Sequence, residues 1–243
     1  MYELVFGLVS NSSAAGLGDS GEKYVWAWYA FLCIVCAAFN VGYLVYTYVK
    51  TPSKDSYGTW MKALAVPWVL ECAWRSVFPS LYLQRFAFWD VWMNSIVVDR
   101  CWACVGELAW TYQVALALRH VDKQVTGGKW WIQASGWLAF VVYILAECTS
   151  YYNVATTNEF WAAIEVLLDG AAFFVMAPAA IYLWCKIPGS SIASAKGFCL
   201  ILSLVSTIYP CYNVFVDAPM YMARYKADQA AGKHYFSFLE GLE

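Results

Sequence analysis

Residues 160–185 read FWAAIEVLLDGAAFFVMAPAAIYLWC, and the only charged side chains in this run of 26 residues are Glu165 and Asp169. A helix needs about 20 apolar residues to cross the hydrocarbon core of a bilayer, so the run predicts a transmembrane helix. Five more apolar stretches lie at about residues 24–49, 57–82, 88–118, 130–152 and 194–222. We therefore expect an all-α fold, a polytopic transmembrane helical bundle of six to seven spans.

The overall composition favours the same class of protein. Hydrophobic residues make up 62% of the 243-residue chain and charged residues 13%, whereas soluble domains carry about 25% charged residues. The net charge is −2 and no basic stretch could follow a phosphate backbone, so we expect no nucleic acid partner. The expected location is an integral, multi-pass position in a membrane. That membrane would be the endoplasmic reticulum in a eukaryote and the inner membrane in a bacterium.

The stretch at residues 88–118 is too long for one perpendicular span, and Asp90, Asp99 and Arg100 lie in its first third. We expect part of it to lie outside the hydrocarbon, or a bend to divide it. Residues 1–23 are predicted to be a tail or an interfacial segment, 24–222 the transmembrane domain, and 223–243 a polar tail. The side with the loops after the first, third and fifth stretches contains eight lysine and arginine residues, and the other side contains five. Positive charge favours the cytoplasmic side, so we expect those three loops in the cytoplasm.

Many charged groups lie inside the apolar stretches: Glu71, Arg75, Asp99, Arg100, Glu107, Glu147, Glu165, Asp169 and Asp217. Each costs about 2.5–3.5 kcal/mol at the centre of a membrane on insertion scales. They either join helices through hydrogen bonds or, as we expect for the set, line a polar cavity. A carboxyl group there would stay neutral because a low dielectric disfavours the anion. Aromatic faces would stabilise a nearby cation, and the two abilities together suit carbocation chemistry.

Few residues suit a cofactor. The two histidines, His120 and His234, lie outside the apolar stretches, so we expect no haem, no metal and no other cofactor. Nine cysteines include two pairs with Cys-x-x-Cys spacing, Cys33/Cys36 and Cys101/Cys104. Such pairs suit zinc or a redox dithiol, but all nine lie in apolar stretches, where small buried thiols are the preferred interpretation.

Short motifs occur at both ends of the second stretch and in the last one. Tyr57-Gly58 opens the second stretch, Glu71 follows, Phe78-Pro79-Ser80 closes it, and Phe215-Val216-Asp217 lies in the last stretch. The pattern resembles the integral-membrane terpene cyclases of fungal and bacterial meroterpenoid and indole-diterpene pathways. That resemblance implies a helical enzyme in which two carboxyls protonate an epoxide or alkene. Glu71 and Asp217 are then the catalytic candidates.

Residues 151–178, with Glu159 and Trp161, are more loosely similar to the emopamil-binding sterol isomerases. Both resemblances imply proton-initiated cyclisation or isomerisation of a terpenoid or polyprenyl substrate, a lyase or isomerase activity of terpenoid biosynthesis and secondary metabolism. The expected partners are this lipophilic small molecule and membrane lipid. Arg75 would orient Glu71. The other substrate-binding candidates are Trp68, Trp74, Glu107, Tyr112, Tyr151, Trp161 and Tyr212.

Two alternatives remain open at the level of the sequence. The same carboxyls could bind protons or a ligand in a non-enzymatic membrane protein, such as a transporter, a lipid-binding receptor or an accessory subunit. A membrane thiol oxidoreductase using Cys33 and Cys36 is the less favoured alternative.

Overall fold

In the computed structural model, which describes residues 19–53, 55–78, 80–81, 86–87, 91–188 and 193–242, nearly every described residue is helical. The helices are α1 (Asp19–Lys50), α2 (Ser56–Val77), α3 (Ile96–Thr126), α4 (Trp130–Thr156), α5 (Glu159–Lys186), α6 (Ala193–Tyr212) and α7 (Ala218–Ala230). A π-helical segment, Asn213–Asp217, joins α6 to α7 as one continuous rod. One antiparallel pair of two-residue strands, β1 (Ser80–Leu81) and β2 (Phe86–Ala87), follows α2. The predicted all-α class is confirmed.

Polar caps and a glycine fix the ends of the helices. Asp55 accepts a hydrogen bond from the Gly58 amide at 2.7 Å at the start of α2. Ser95 accepts one from the Val98 amide at 3.3 Å at the start of α3. Gly127 ends α3 in the left-handed conformation, with φ of 81°.

The long third stretch is therefore divided. A 3-10 turn, Trp92–Asn94, precedes a helix that starts at Ile96 and continues to Thr126. His120, predicted outside the spans, consequently lies in α3, stacked on Tyr57. At the other end of the chain, residues 223–230 of the predicted polar tail are helical. The predicted N-terminal segment 1–23 falls mostly outside the described residues, as α1 begins at Asp19.

The helical rods form an arc. Each rod packs mainly on its neighbours in sequence, as expected for helices joined by short loops. α5 also packs on α3 and on α7. At the two ends of the arc, α1 packs on α2 and α6 packs on α5. Within the described part of the chain α2 and α6 make no extensive contact.

The two halves of the bundle differ in polarity. Leu118, Ile132, Leu183 and Cys199 are fully buried and belong to the apolar core near the α3–α4 loop. Among the described residues, five of the six buried charged side chains, Glu71, Asp99, Arg100, Glu147 and Asp169, lie outside that core cluster, toward the end where α3 starts and α4 finishes. The sixth, Asp122, lies near the α3–α4 loop. The candidate site lies in the half of the bundle that contains the first five charged side chains, which we call the polar half.

Within the part of the chain that the structure describes, four helices are long and apolar enough to cross a membrane: Trp28–Lys50, Trp130–Thr156, Glu159–Lys186 and Ser194–Ala230. Their outward faces carry large exposed apolar side chains, such as Phe39, 71% exposed, and Phe215, 76% exposed. Contiguous apolar surface of this kind is compatible with contact with lipid. The two other rods, α2 and α3, contain most of the charged side chains of the polar half.

Candidate functional site

A cavity of about 420 Å³ lies inside the polar half of the bundle. The first three helices that line it contribute Trp68, Arg100, Glu107, Trp110 and Tyr143. The last three contribute Glu165, Val166, Asp169, Phe173, Val205, Tyr209 and Tyr221. Glu107 is 11 residues into α3 and Asp169 is 10 residues into α5, so both lie about 15 Å from the helix ends. The volume falls within the range of about 300–1,000 Å³ that small-molecule pockets occupy.

One wall of the cavity is acidic. Glu107 accepts a hydrogen bond from the Tyr143 hydroxyl at 2.9 Å. Glu165 accepts one from the Arg100 guanidinium at 3.1 Å, and the same guanidinium donates to the Ser150 hydroxyl. Asp169 lies one helical turn after Glu165 and also lines the cavity. The acidic wall thus combines α3 and α5, with α4 holding it in place.

Behind Glu107, Arg75 joins carboxyl groups of α2 and α3. Its Nη1 atom lies 3.1 Å from Glu71 Oε1 and 3.3 Å from Glu107 Oε1, and its Nε atom lies 3.3 Å from Asp99 Oδ1. Glu71 and Asp99 are each 2% exposed. Gly106 allows this close approach, because a Cβ atom there would lie 2.5 Å from Glu71 Cβ.

The polar half contains more acids than bases. Six carboxyl groups, those of Glu71, Asp99, Glu107, Glu147, Glu165 and Asp169, surround the guanidinium groups of Arg75 and Arg100. Full ionisation would leave four negative charges uncompensated. A buried, unpaired charge costs several kcal/mol, so the excess of acids over bases is costly when all of them are ionised. Within the described ranges no group of His, Cys, Asp or Glu side chains is arranged to hold a metal ion.

A second part of the lining, the aromatic wall, is a continuous series of aromatic rings. Trp68 stacks on Trp110 with ring centroids 5.3 Å apart, and Trp110 contacts Phe173 at 5.4 Å. Phe173 meets Tyr209 edge to face at 5.1 Å. The rings come from four helices, so their relative positions depend on the whole arc. Such faces stabilise positive charge beside them.

The π-helical segment sets the position of α6 against α5. The Asn213 side chain is fully buried and donates a hydrogen bond to the Val166 carbonyl oxygen at 2.7 Å. Gly170 faces Pro210, and a Cβ atom on Gly170 would lie 3.3 Å from Pro210 Cα. The two helices therefore touch closely beside Asp169. π-Helical turns inside longer helices often occur at functional sites.

Two helices that make no extensive contact with each other within the described residues, α2 and α6, both contribute to the cavity lining. Trp68 lies on α2 and Val205 lies on α6. Val205 is 40% exposed and its neighbour Leu204 is 52% exposed. Part of the apolar lining therefore reaches the surface of the bundle at α6.

No family model, curated protein or solved structure matches this chain. The functional argument consequently depends on the geometry of the site and on the residues that form it.

The two predicted catalytic residues lie near the cavity but not in its lining. Glu71 contacts Arg75, which contacts the cavity-lining Glu107. Asp217 is half-buried in the π-helical segment and interacts electrostatically with the cavity-lining Tyr209. The structure brings each to within one side chain of the cavity, on different sides of it.

The predicted substrate-binding residues divide into three groups. Trp68 and Glu107 line the cavity. Arg75, Trp74 and Tyr151 lie around it: Arg75 binds Glu107, Trp74 stacks on Trp102, and the Tyr151 hydroxyl donates to the Arg100 carbonyl oxygen. The remaining three do not line it. Tyr112 packs on Trp137 and Phe140, Trp161 packs on Tyr152 and Phe160, and Tyr212 is 44% exposed.

Several cavity residues were not predicted from the sequence, although one signal would have found some of them. Trp110, Tyr143, Phe173 and Tyr221 each lie three or four residues from an acid inside an apolar stretch, and thus on the same helix face. The same rule also selects Trp74 and other rings that lie outside the lining. Nothing in the local sequence indicates Tyr209, Val166 or Val205.

Proposed function

We propose that this chain is a membrane-bound terpene cyclase or isomerase that protonates an epoxide or alkene of a polyprenyl or terpenoid substrate. The observation that carries the proposal is a cavity lined by three carboxyl groups, those of Glu107, Glu165 and Asp169, and by stacked aromatic rings. The acids supply the proton that starts the reaction. The rings stabilise the carbocation that results.

The proposed entry of the substrate is sideways, between α2 and α6. A polyprenyl chain dissolves in the bilayer and would reach the site by this route without crossing water. Val205 and Trp68, which line the cavity on these two helices, are apolar. The reactive end of the chain would lie against the acids, while its hydrocarbon tail lies toward this entry.

The proposed topology has six membrane crossings. α2 and α3 cross beside the four apolar helices because their charges pair with one another, Arg75 with Asp99 and Glu107. The rod Ser194–Ala230 has 37 residues and a length of about 55 Å, longer than the hydrocarbon core. α7 thus extends beyond the membrane. The chain then folds back, with the Phe236 amide bonded to the Thr156 carbonyl oxygen at 3.2 Å, so a seventh crossing is not needed.

The orientation follows from the positive charges. The loops after α1, α3 and α5 lie in the cytoplasm, and the cavity lies in the half of the membrane away from it. In a eukaryotic cell this topology suits the endoplasmic reticulum, and in a bacterium the inner membrane.

The experiment is a product assay with membranes that contain the protein. The membranes are incubated with a polyprenyl epoxide and, separately, with the unoxidised polyprenyl chain, and extracts are examined by mass spectrometry for cyclised or isomerised products. Wild type is compared with Glu71→Gln, Glu107→Gln and Asp217→Asn. We expect product from wild type and a loss of turnover of at least tenfold in Glu107→Gln, because that variant removes a charged group that lines the cavity and would stabilise the cation.

Asp122→Asn is the matched control. Asp122 is a fully buried acid that accepts hydrogen bonds from Thr126 and Gln133 near the α3–α4 loop, remote from the cavity. Its variant should turn over like wild type per folded molecule. Unchanged turnover in all three of the other variants would remove Glu71, Glu107 and Asp217 from the mechanism.

A second candidate function is a non-enzymatic one, as a transporter, lipid-binding receptor or accessory subunit. The favouring observation is that Arg75 and Arg100 connect carboxyls from α2 to α5, a connection that suits proton or ligand binding as well as catalysis. It predicts a copurifying ligand or partner chain, and no new product from either polyprenyl substrate.

A further inference from the structure

The three acids that line the cavity are held differently. Glu107 is fixed by the Tyr143 hydroxyl and the Arg75 guanidinium, and Glu165 is fixed by the Arg100 guanidinium. Asp169 is 9% exposed. Among the described residues it has no hydrogen bond and no ion pair with a guanidinium or ammonium group, although it lines the same cavity. It is the one acid of the lining whose oxygens are not engaged by a described side chain.

The position of Asp169 is nevertheless well defined. The next residue, Gly170, packs on Pro210 and Asn213, so the helix that carries Asp169 is held closely against α6. One turn later Phe173 belongs to the aromatic wall, and its ring contacts both Trp110 and Tyr209. Asp169 therefore lies where the acidic wall meets the aromatic wall.

We infer that Asp169 is the proton donor of the proposed reaction, ahead of Glu71 and Asp217; the inference rests on the proposed function. The Asp169 carboxylic acid gives its proton to the substrate. With an alkene, the π electron pair forms the new C–H bond. With an epoxide, an oxygen lone pair forms the new O–H bond and the C–O bond breaks. Both routes leave a carbocation beside Phe173 and Trp110, and a carboxylate on Asp169.

The cycle closes when the cyclised cation loses a proton from a neighbouring carbon. That C–H electron pair becomes the product alkene, and the proton returns to Asp169. No oxidant, reductant or metal is consumed. Glu107 and Glu165, engaged by Arg75 and Arg100, keep the wall in place and supply the negative field that attracts the cation.

The first test uses Asp169→Asn and Asp169→Glu, with Asp122→Asn as the matched control. We expect Asp169→Asn to lower kcat at least 100-fold, consistent with loss of a general acid, and Asp169→Glu to restore part of the activity. Asp122→Asn should keep the wild-type kcat per folded molecule. Folding of each variant is checked by size-exclusion profile and thermal unfolding in detergent.

The outcomes separate the two proposals. An active wild type together with an Asp169→Asn variant that keeps more than a tenth of its kcat would overturn the role of Asp169 alone. A wild type that makes no product from either polyprenyl substrate would overturn the proposed function, and the catalytic role with it.

A second test needs no variant to fold. A hydrophobic carbodiimide reacts with protonated carboxyl groups in apolar surroundings, and peptide mapping by mass spectrometry locates the adduct on the wild-type protein. We expect modification at Asp169, prevented by the polyprenyl substrate. Modification at Glu71 or Asp217 with none at Asp169 would overturn the inference.

Discussion

Gly106→Ala tests the close approach of α2 and α3. The Arg75 cluster, in which Arg75 pairs with Glu71, Asp99 and Glu107, depends on this approach. An added Cβ atom would lie 2.5 Å from Glu71 Cβ and 2.8 Å from Glu71 Cγ. Carbon atoms prefer about 3.5–4.0 Å, so the two helices must separate by about 1 Å. Overpacking of this kind costs about 1–3 kcal/mol. The better helix propensity of alanine returns about 1 kcal/mol, so we expect a net loss of up to about 2 kcal/mol.

Gly42→Ala is the matched control because Gly42 also lies inside a helix, α1, with nothing within 4 Å of an added Cβ atom. We expect it to gain up to about 1 kcal/mol. The two variants should therefore differ by about 1–3 kcal/mol in free energy of unfolding. Unfolding of the purified protein in mixed detergent micelles, followed by tryptophan fluorescence, measures both. A Gly106→Ala variant as stable as Gly42→Ala would refute the packing of Glu71 on Gly106.

Other predictions concern the cavity and the helix that bounds it. Tyr143→Phe removes the hydroxyl that donates a hydrogen bond to Glu107 at 2.9 Å. We expect the free energy of unfolding to fall by about 1.5–3 kcal/mol in the same unfolding assay, and turnover to fall as well. Asn213→Ala removes the bond to the Val166 carbonyl oxygen at 2.7 Å, and thermal unfolding should show a loss of about 1–3 kcal/mol. Cys33→Ala should leave product formation unchanged. Cys33 lies on α1, and among the major contacts of the described residues α1 packs only on α2. Abolished turnover in this variant would favour the thiol oxidoreductase instead.

The fold was largely predictable because hydrophobic length is a strong signal. Six apolar stretches became six rods, and those at 130–152 and 160–185 matched α4 and α5 closely. The third stretch was expected to lie partly outside the hydrocarbon or to be divided by a bend, and a 3-10 turn at Trp92–Asn94 does precede α3. The start of α3 depends on the Ser95 cap, a local hydrogen bond that hydropathy does not register. The last rod was underestimated because polar residues after Met222 remain helical outside the apolar run.

The candidate site was less predictable, for a different physical reason. The acids were found because a charge inside an apolar stretch is costly and therefore conspicuous. Which of them line one cavity depends on helix rotation and on contacts between helices distant in sequence, such as Phe173 with Tyr209. The periodicity of one helix does not contain that information. Tyr112 and Tyr209 are equally aromatic, yet only Tyr209 lies at the junction of α5 and α6.

The ion pairs of the Arg75 cluster would affect how such a chain enters a bilayer. Segments leave the ribosome in order, so α2 and α3 are made before α4 and α5 supply Tyr143 and the Arg100 partner Glu165. Either helix alone would expose charge to lipid. Arg75 on α2 meets Asp99 and Glu107 on α3, so the two helices can neutralise each other as a hairpin. The α2–α3 hairpin would then insert into the membrane as a unit, with α1 packed on α2. The cavity would be complete only after α5, α6 and α7 have followed, because all three contribute lining residues.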